Sequence, residues 1–161
     1  MRSAIVVLVV WLVLAAPSGV RAAEWGTIAA GTSTLAAVRA QYGEPSKVAK
    51  KKVENYDVTE WLYEGDKAPR GIRRLGIEFG LLTPAGFRPD VVRLFSLEPS
   101  PGVFLRSTIV AGWGEPEQAG RDGDTPVFIY ESGLIVQFDR EGWIAERMIF
   151  TPRQPHRPPE R

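Results

Sequence analysis

The sequence predicts an α+β fold: two tandem copies of a short helix plus antiparallel β-meander, with the helices packed on one face of the sheet. Three observations predict it. The block at 31–45 recurs without a gap at 102–116, the hydrophobic period changes from 3.6 to 2 after each block, and the period-2 runs are joined by connections of hairpin length.

The first block reads as one short helix. Thr32 or Ser33 is placed to cap its free N–H groups, Leu35, Val38 and Tyr42 fall near one face, and Gly43 with Pro45 stops it. In the second block Gly102 matches Gly31, Ala111 matches Ala40, and Gly114, Glu115 and Pro116 match Gly43, Glu44 and Pro45. Roughly one identity is expected by chance in such a window. Ile109 stands for Val38 and Trp113 for Tyr42, which keeps apolar character where a helix meets a sheet. Val103 replaces Thr32, so Ser100 before Pro101 is the substitute cap.

Strands are expected at 58–64, 72–79 and 91–97 after the first helix, and at 127–131, 134–139 and 143–150 after the second. Turns at Ser132-Gly133 and at 139–142 are too short for the crossover that a parallel pair needs, so the pairing is antiparallel. Alternation sends Trp61, Tyr63, Phe128 and Tyr130 to the helix-covered face as core residues. The opposite face receives Glu60, Leu62, Arg74, Glu78, Arg93, Phe95, Ile129, Ile135, Gln137, Trp143 and Arg147, and Glu146 points inward against the pattern.

Both ends stand apart from these patterns. Arg2, the uncharged run from Ala4 to Ala16, the breakers Pro17, Ser18 and Gly19, and small residues at Val20 and Ala22 are the marks of a secretory signal peptide over 1–22. The remainder divides into a first repeat at 23–99, a second at 100–151, and a tail at 152–161. That tail holds four prolines and three arginines without an apolar pattern, and is expected to be disordered or extended. Loss of the leader leaves 139 residues, which suits one ordinary domain or two very small ones sharing a core. The mature chain is expected to carry no membrane span and to be periplasmic or secreted.

Charge and composition exclude several classes of function. Of 20 Lys and Arg residues, Arg2 and Arg21 fall in the leader, leaving 18 against 19 acids, with no concentrated basic footprint for nucleic acid. Lys47, Lys50, Lys51 and Lys52 follow a helix stop and read as a solvated loop that could touch an anionic envelope surface weakly. The chain has no cysteine and one histidine, His156, in the tail, where nothing would hold it against a catalytic partner. Asp122 and Asp124 share a glycine loop between helix and strand, but the further oxygen ligands of a calcium loop are missing, so a polar turn is expected. Catalytic residues, metal and cofactor are all expected to be absent.

A small-residue cap, a short helix, a Gly-x-Pro stop, then the aromatic strands Trp61 to Tyr63 and Phe128 to Tyr130, resemble the fold shared by the beta-lactamase inhibitor protein and the outer-membrane assembly lipoproteins of the SmpA/OmlA type. The tandem order from Gly31 to Phe150 is more similar to the inhibitor protein. Those lipoproteins are anchored through a cysteine and the inhibitor is braced by disulfides, and this chain has neither. The resemblance therefore implies an exported protein-binding scaffold.

The expected function is a non-enzymatic protein-binding module of the cell envelope. Its expected site on the exposed sheet face is Leu62, Arg74, Arg93, Phe95, Ile129, Gln137, Trp143 and Arg147, where arginines lie beside apolar groups. Two other classes fit less of the pattern. One is a small carboxylate-dependent hydrolase or isomerase with a cleft between the repeats, and the other a structural envelope protein.

Overall fold

The computed structural model describes residues 22–153. The expected signal peptide, through residue 21, and the tail from residue 154, including His156, lie outside the described residues. A small hairpin of β1 (Glu24–Trp25) and β2 (Ile28–Ala29) comes first, followed by α1 (Leu35–Tyr42). Next come β3 (Lys47–Val53), β4 (Tyr56–Glu64), a 3-10 turn over Gly65–Lys67, β5 (Ile72–Thr83) and β6 (Gly86–Pro99). The chain continues through α2 (Arg106–Trp113), β7 (Gln118–Asp122), β8 (Thr125–Ile129), β9 (Leu134–Phe138) and β10 (Ala145–Phe150).

Strands β3 to β10 form a single antiparallel sheet in the order β3-β4-β5-β6-β10-β9-β8-β7. This overturns the expected α+β class with two tandem helix-plus-meander copies and helices packed on one face. Strand accounts for 53% of the described chain and helix for 14%, so the protein is mostly β. The physical reason is where the apolar side chains are. Each helix is eight residues long and buries one side chain fully, Val38 in α1 and Ile109 in α2. The strands supply the bulk of the core: Trp61 and Tyr63, Leu75, Ile77 and Phe79, Phe95 and Leu97, Phe128, Leu134, Val136 and Phe138, and Met148 with Phe150. Two segments expected as loops are also strands. β3, with its lysines, and β7, ending at Asp122, are the two edges of the sheet. Charge on an edge discourages pairing with a foreign strand, so these polar segments suit their place.

The strand pair β6–β10 joins the two halves of the sheet. Leu97 faces Met148, Ser96 faces Ile149 and Phe95 faces Phe150. The Phe95 and Phe150 rings stack with centroids 4.4 Å apart and planes 6° from parallel. Truncating either ring to alanine removes a buried aromatic worth about 3–5 kcal/mol. At the far end of β10, Thr151 donates its backbone N–H to the Gly133 carbonyl at 2.8 Å. Gly133 has φ of +101°, and a Cβ there would collide with the Thr151 carbonyl oxygen, so only glycine fits this turn.

Both helices begin later than expected. Thr34, not Thr32 or Ser33, caps α1, with its Oγ1 accepting from the Ala37 N–H at 3.3 Å. Ser33 and Thr32 bond back to Ala29 instead. α2 starts after Leu105 with no side-chain cap, and Ser100 lies in a preceding turn where its backbone carbonyl accepts the Val103 N–H. A tyrosine ties down the end of each helix. The Tyr63 hydroxyl donates to the Gly43 carbonyl at 3.0 Å, and the Tyr130 hydroxyl to the Gly114 carbonyl at 3.1 Å. Among the described residues no helix is long and apolar enough to cross a membrane.

Burial pushes both phenols up to about 12, helped by Glu44 near Tyr63 and by Glu115 and Glu117 near Tyr130. The neutral phenol is thus favoured by the fold. Its contribution is complete below the ordinary tyrosine value near 10 and is lost as pH rises through the folded value. Urea titrations from pH 9 to 12 should show stability falling from about pH 10 upward, and falling less steeply when Tyr63→Phe and Tyr130→Phe are combined. Identical pH slopes in the two proteins would contradict the assignment.

Candidate functional site

The candidate site is the sheet face turned away from the core. Strand alternation places on it one row that crosses all eight strands: Lys47, Leu62, Gly76, Ser96, Ile149, Ile135, Ile129 and Gln118, each paired with the next. At the ordinary strand spacing this row is about 33 Å long. Its two halves differ in chemistry.

Over the middle of β3 to β6 the face carries a lattice of ion pairs, while toward the β5–β6 turn Tyr56, Val58, Leu82 and Phe87 form an apolar patch beside Arg93. Glu64 accepts from Lys47 at 3.0 Å and from Arg74 at 3.4 Å, and Arg74 also reaches Glu98 at 3.5 Å. The Lys47 hydrogen bond, followed by the charge of both cations, holds the Glu64 carboxyl below the usual carboxylate range. Glu78, with a side chain 13% exposed, takes Lys51 on one oxygen at 2.6 Å and Arg93 on the other at 2.9 Å, and Lys51 also reaches Glu60 at 3.7 Å. The cations of this half are therefore spent on one another's neighbours. Of the expected solvated lysine loop, Lys47, Lys51 and Lys52 are ion-paired on a strand.

Over β10, β9 and β8 the face is apolar. Ile149, Ile135 and Ile129 lie side by side, partly exposed, and Val127 sits one step along β8 from Ile129. Gln137 pairs with both Arg147 and Val127 in the neighbouring row. Arg147 is exposed and makes no ion pair among the described residues. Of the residues expected in the site, this half brings together Ile129, Gln137 and Arg147. Leu62, Arg74 and Arg93 share the face but belong to the ion-paired half.

Two expected site residues are elsewhere. Phe95 is fully buried in the core against Phe150. The pairing shifts between Glu78 and Phe79, where Glu78 faces Leu94 and Phe79 faces Val92, so Arg93 is an extra residue and the alternation changes phase there. Trp143 lies on the helix side, beside Leu105 and Arg106 at the start of α2. A second shift between Ala145 and Arg147 leaves Glu146 unpaired and breaks the parity that linked Trp143 to Arg147. The same bulge exposes Glu146, which was expected to point inward. Ile149 was missed, although it has the parity of Arg147 and alternation alone could have found it.

No group of three or more His, Cys, Asp or Glu side chains placed to hold a metal occurs among the described residues. Asp122 and Asp124 flank Gly123 in the turn of the β7–β8 hairpin, not in a loop between helix and strand. There the Arg121 guanidinium donates to the Asp124 carbonyl.

No protein-family model and no curated protein matches the chain. Among solved structures it is similar to a DUF4309 family protein (YjgB) from Bacillus subtilis subsp. subtilis str. 168, at 14% identity and a TM-score of 0.48. The likeness covers 76% of this chain and 80% of that one. At that level it assigns neither family nor function.

Glu78 is the tested feature of the ion-paired half. Glu78→Gln should cost about 2 kcal/mol in urea unfolding, because Arg93 loses its carboxylate and Lys51 keeps only Glu60. Asp57→Asn, which breaks a pair whose side chains are 72% and 78% exposed, should cost less than about 0.5 kcal/mol. Equal costs would mean that the lattice is ordinary surface charge.

Proposed function

We propose that the chain is an exported, non-enzymatic protein-binding module of the cell envelope, and that it holds its partner on the β8–β9–β10 half of the open sheet face. One observation carries this reading: Ile129, Ile135 and Ile149 form a contiguous apolar row, left partly open to solvent, beside Arg147, which makes no ion pair among the described residues. Apolar side chains next to arginine are what the centre of a protein interface contains, since the first gain from leaving water and the second supplies directed hydrogen bonds. The neighbouring lattice supports the choice of half, because its charges already have partners and would have to be desolvated to bind. The leader-like N-terminus supports export.

The test places a photo-crosslinking residue at Ile135 and, as a control, at the exposed Leu82, in cells producing the full chain. A defined adduct from position 135 alone is expected, and Ile149→Glu should reduce capture about tenfold or more without lowering the melting temperature, as expected for a hot-spot residue. Adducts of equal yield from both positions, or capture that survives Ile149→Glu, would remove this face from consideration.

A further inference from the structure

A second surface lies on the helix side of the sheet, where the start of α2 meets the turn before β10. The backbone of that turn is held on several sides. Asp139 accepts the Trp143 N–H at 2.7 Å and the Ile144 N–H at 3.1 Å, the Trp143 carbonyl accepts the Arg106 N–H at 2.9 Å, and Leu105 bridges to Ile144. The Ile144 hydrogen bond, then those from Trp143 and Gly142, keeps the Asp139 carboxyl below its ordinary range. Yet the Trp143 side chain on this fixed backbone is 66% exposed, and Leu105 beside it is 44% exposed. They border a groove of about 680 Å³ that Val110, Ala111 and Phe128 also line. That volume falls within the range of small-ligand sites, which are mostly apolar with few polar groups.

The charges on the groove say what end of a ligand goes where. Arg106 lies with its guanidinium carbon 4.6 Å from the centre of the Phe128 ring and has no ion pair among the described residues. α1 supplies the contrast. Arg39 stacks on Trp61 at 5.1 Å in the same manner, but Glu44 neutralises it at 2.8 Å. Glu115 lines the groove of Arg106 without pairing with it, which leaves the cation unspent at one end and repels a second anion at the other.

We propose that this groove is a binding site for a small molecule made of a flat apolar body and a single carboxylate, the body lying between Trp143, Leu105 and Val110 and the carboxylate on Arg106. A planar guanidinium already oriented by the ring beneath it is suited to take a carboxylate through two parallel hydrogen bonds. The site is separate from the Ile129–Ile135–Ile149 row, because Phe128 belongs to the opposite face of β8 from Ile129.

The probe is 2-naphthoate, with the neutral 2-naphthamide as its control, titrated into nitrogen-15-labelled protein and followed by amide and indole shifts. Saturable shifts confined to the Trp143 indole and residues 105–110 are expected for naphthoate, with naphthamide about fivefold weaker or worse for want of the charge-assisted contact. Arg106→Gln should weaken naphthoate about fivefold while leaving naphthamide unchanged, which also shows that the variant is folded, and Trp143→Ala should lose both. The proposal is overturned if neither probe gives a saturable shift at millimolar concentration, if the two bind alike and Arg106→Gln changes nothing, or if the shifts fall on the isoleucine row instead.

Discussion

The pairing of β6 with β10 is the contact on which the remaining structure depends. It brings together segments more than 50 residues apart in the chain, sets Phe95 on Phe150, and makes one sheet of strands that would otherwise end in two further open edges. Because side chains alternate with a period of two, its register also decides which way Ile149 points. With Phe150 inward, Ile149 falls outward beside Ile135, and the apolar row on the open face exists. A slip of one residue would turn Ile149 inward and expose Met148 and Phe150, losing core and row together.

The open face then divides by charge. Its β3–β6 half is closed electrostatically, with Glu64 and Glu78 each taking two cations, whereas its β8–β10 half has apolar side chains and Arg147. The helix side repeats this contrast on a smaller scale, where Arg39 is neutralised by Glu44 and Arg106 has no ion pair among the described residues. In both places the second half of the chain keeps an arginine that makes no ion pair among the described residues, where the first half pairs its own. Exposed apolar area gives nothing to the isolated fold, and this is the physical basis on which a binding role is proposed for that half.

Much of the β-structure was legible because its apolar side chains alternate. Six strands were expected close to where β4, β5, β6, β8, β9 and β10 lie, and Trp61, Tyr63, Phe128 and Tyr130 are buried. The edge strands were not legible, since β3 is a run of lysines and β7 is polar throughout, and an edge needs no buried side chain to hold its hydrogen bonds. The helical pattern at 31–45 and 102–116 was overweighted: each block yields eight residues of helix and one fully buried side chain. Site residues failed where a bulge intervened. Counting parity through Arg93 sent Phe95 outward and counting through Glu146 sent Trp143 to the wrong face, because an extra residue in one strand leaves no trace in composition. The groove at α2 was invisible for a different reason, since Arg106 and Trp143 are 37 positions apart and meet only where the start of α2 pairs with the turn before β10.

The most direct test is the register of β6 against β10, read from cross-strand nuclear Overhauser contacts in the labelled protein. Contacts joining Phe95 to Phe150, Ser96 to Ile149 and Leu97 to Met148 are predicted. Their displacement by one residue along β10, or their absence, would contradict the continuous sheet and with it the surface laid out on it.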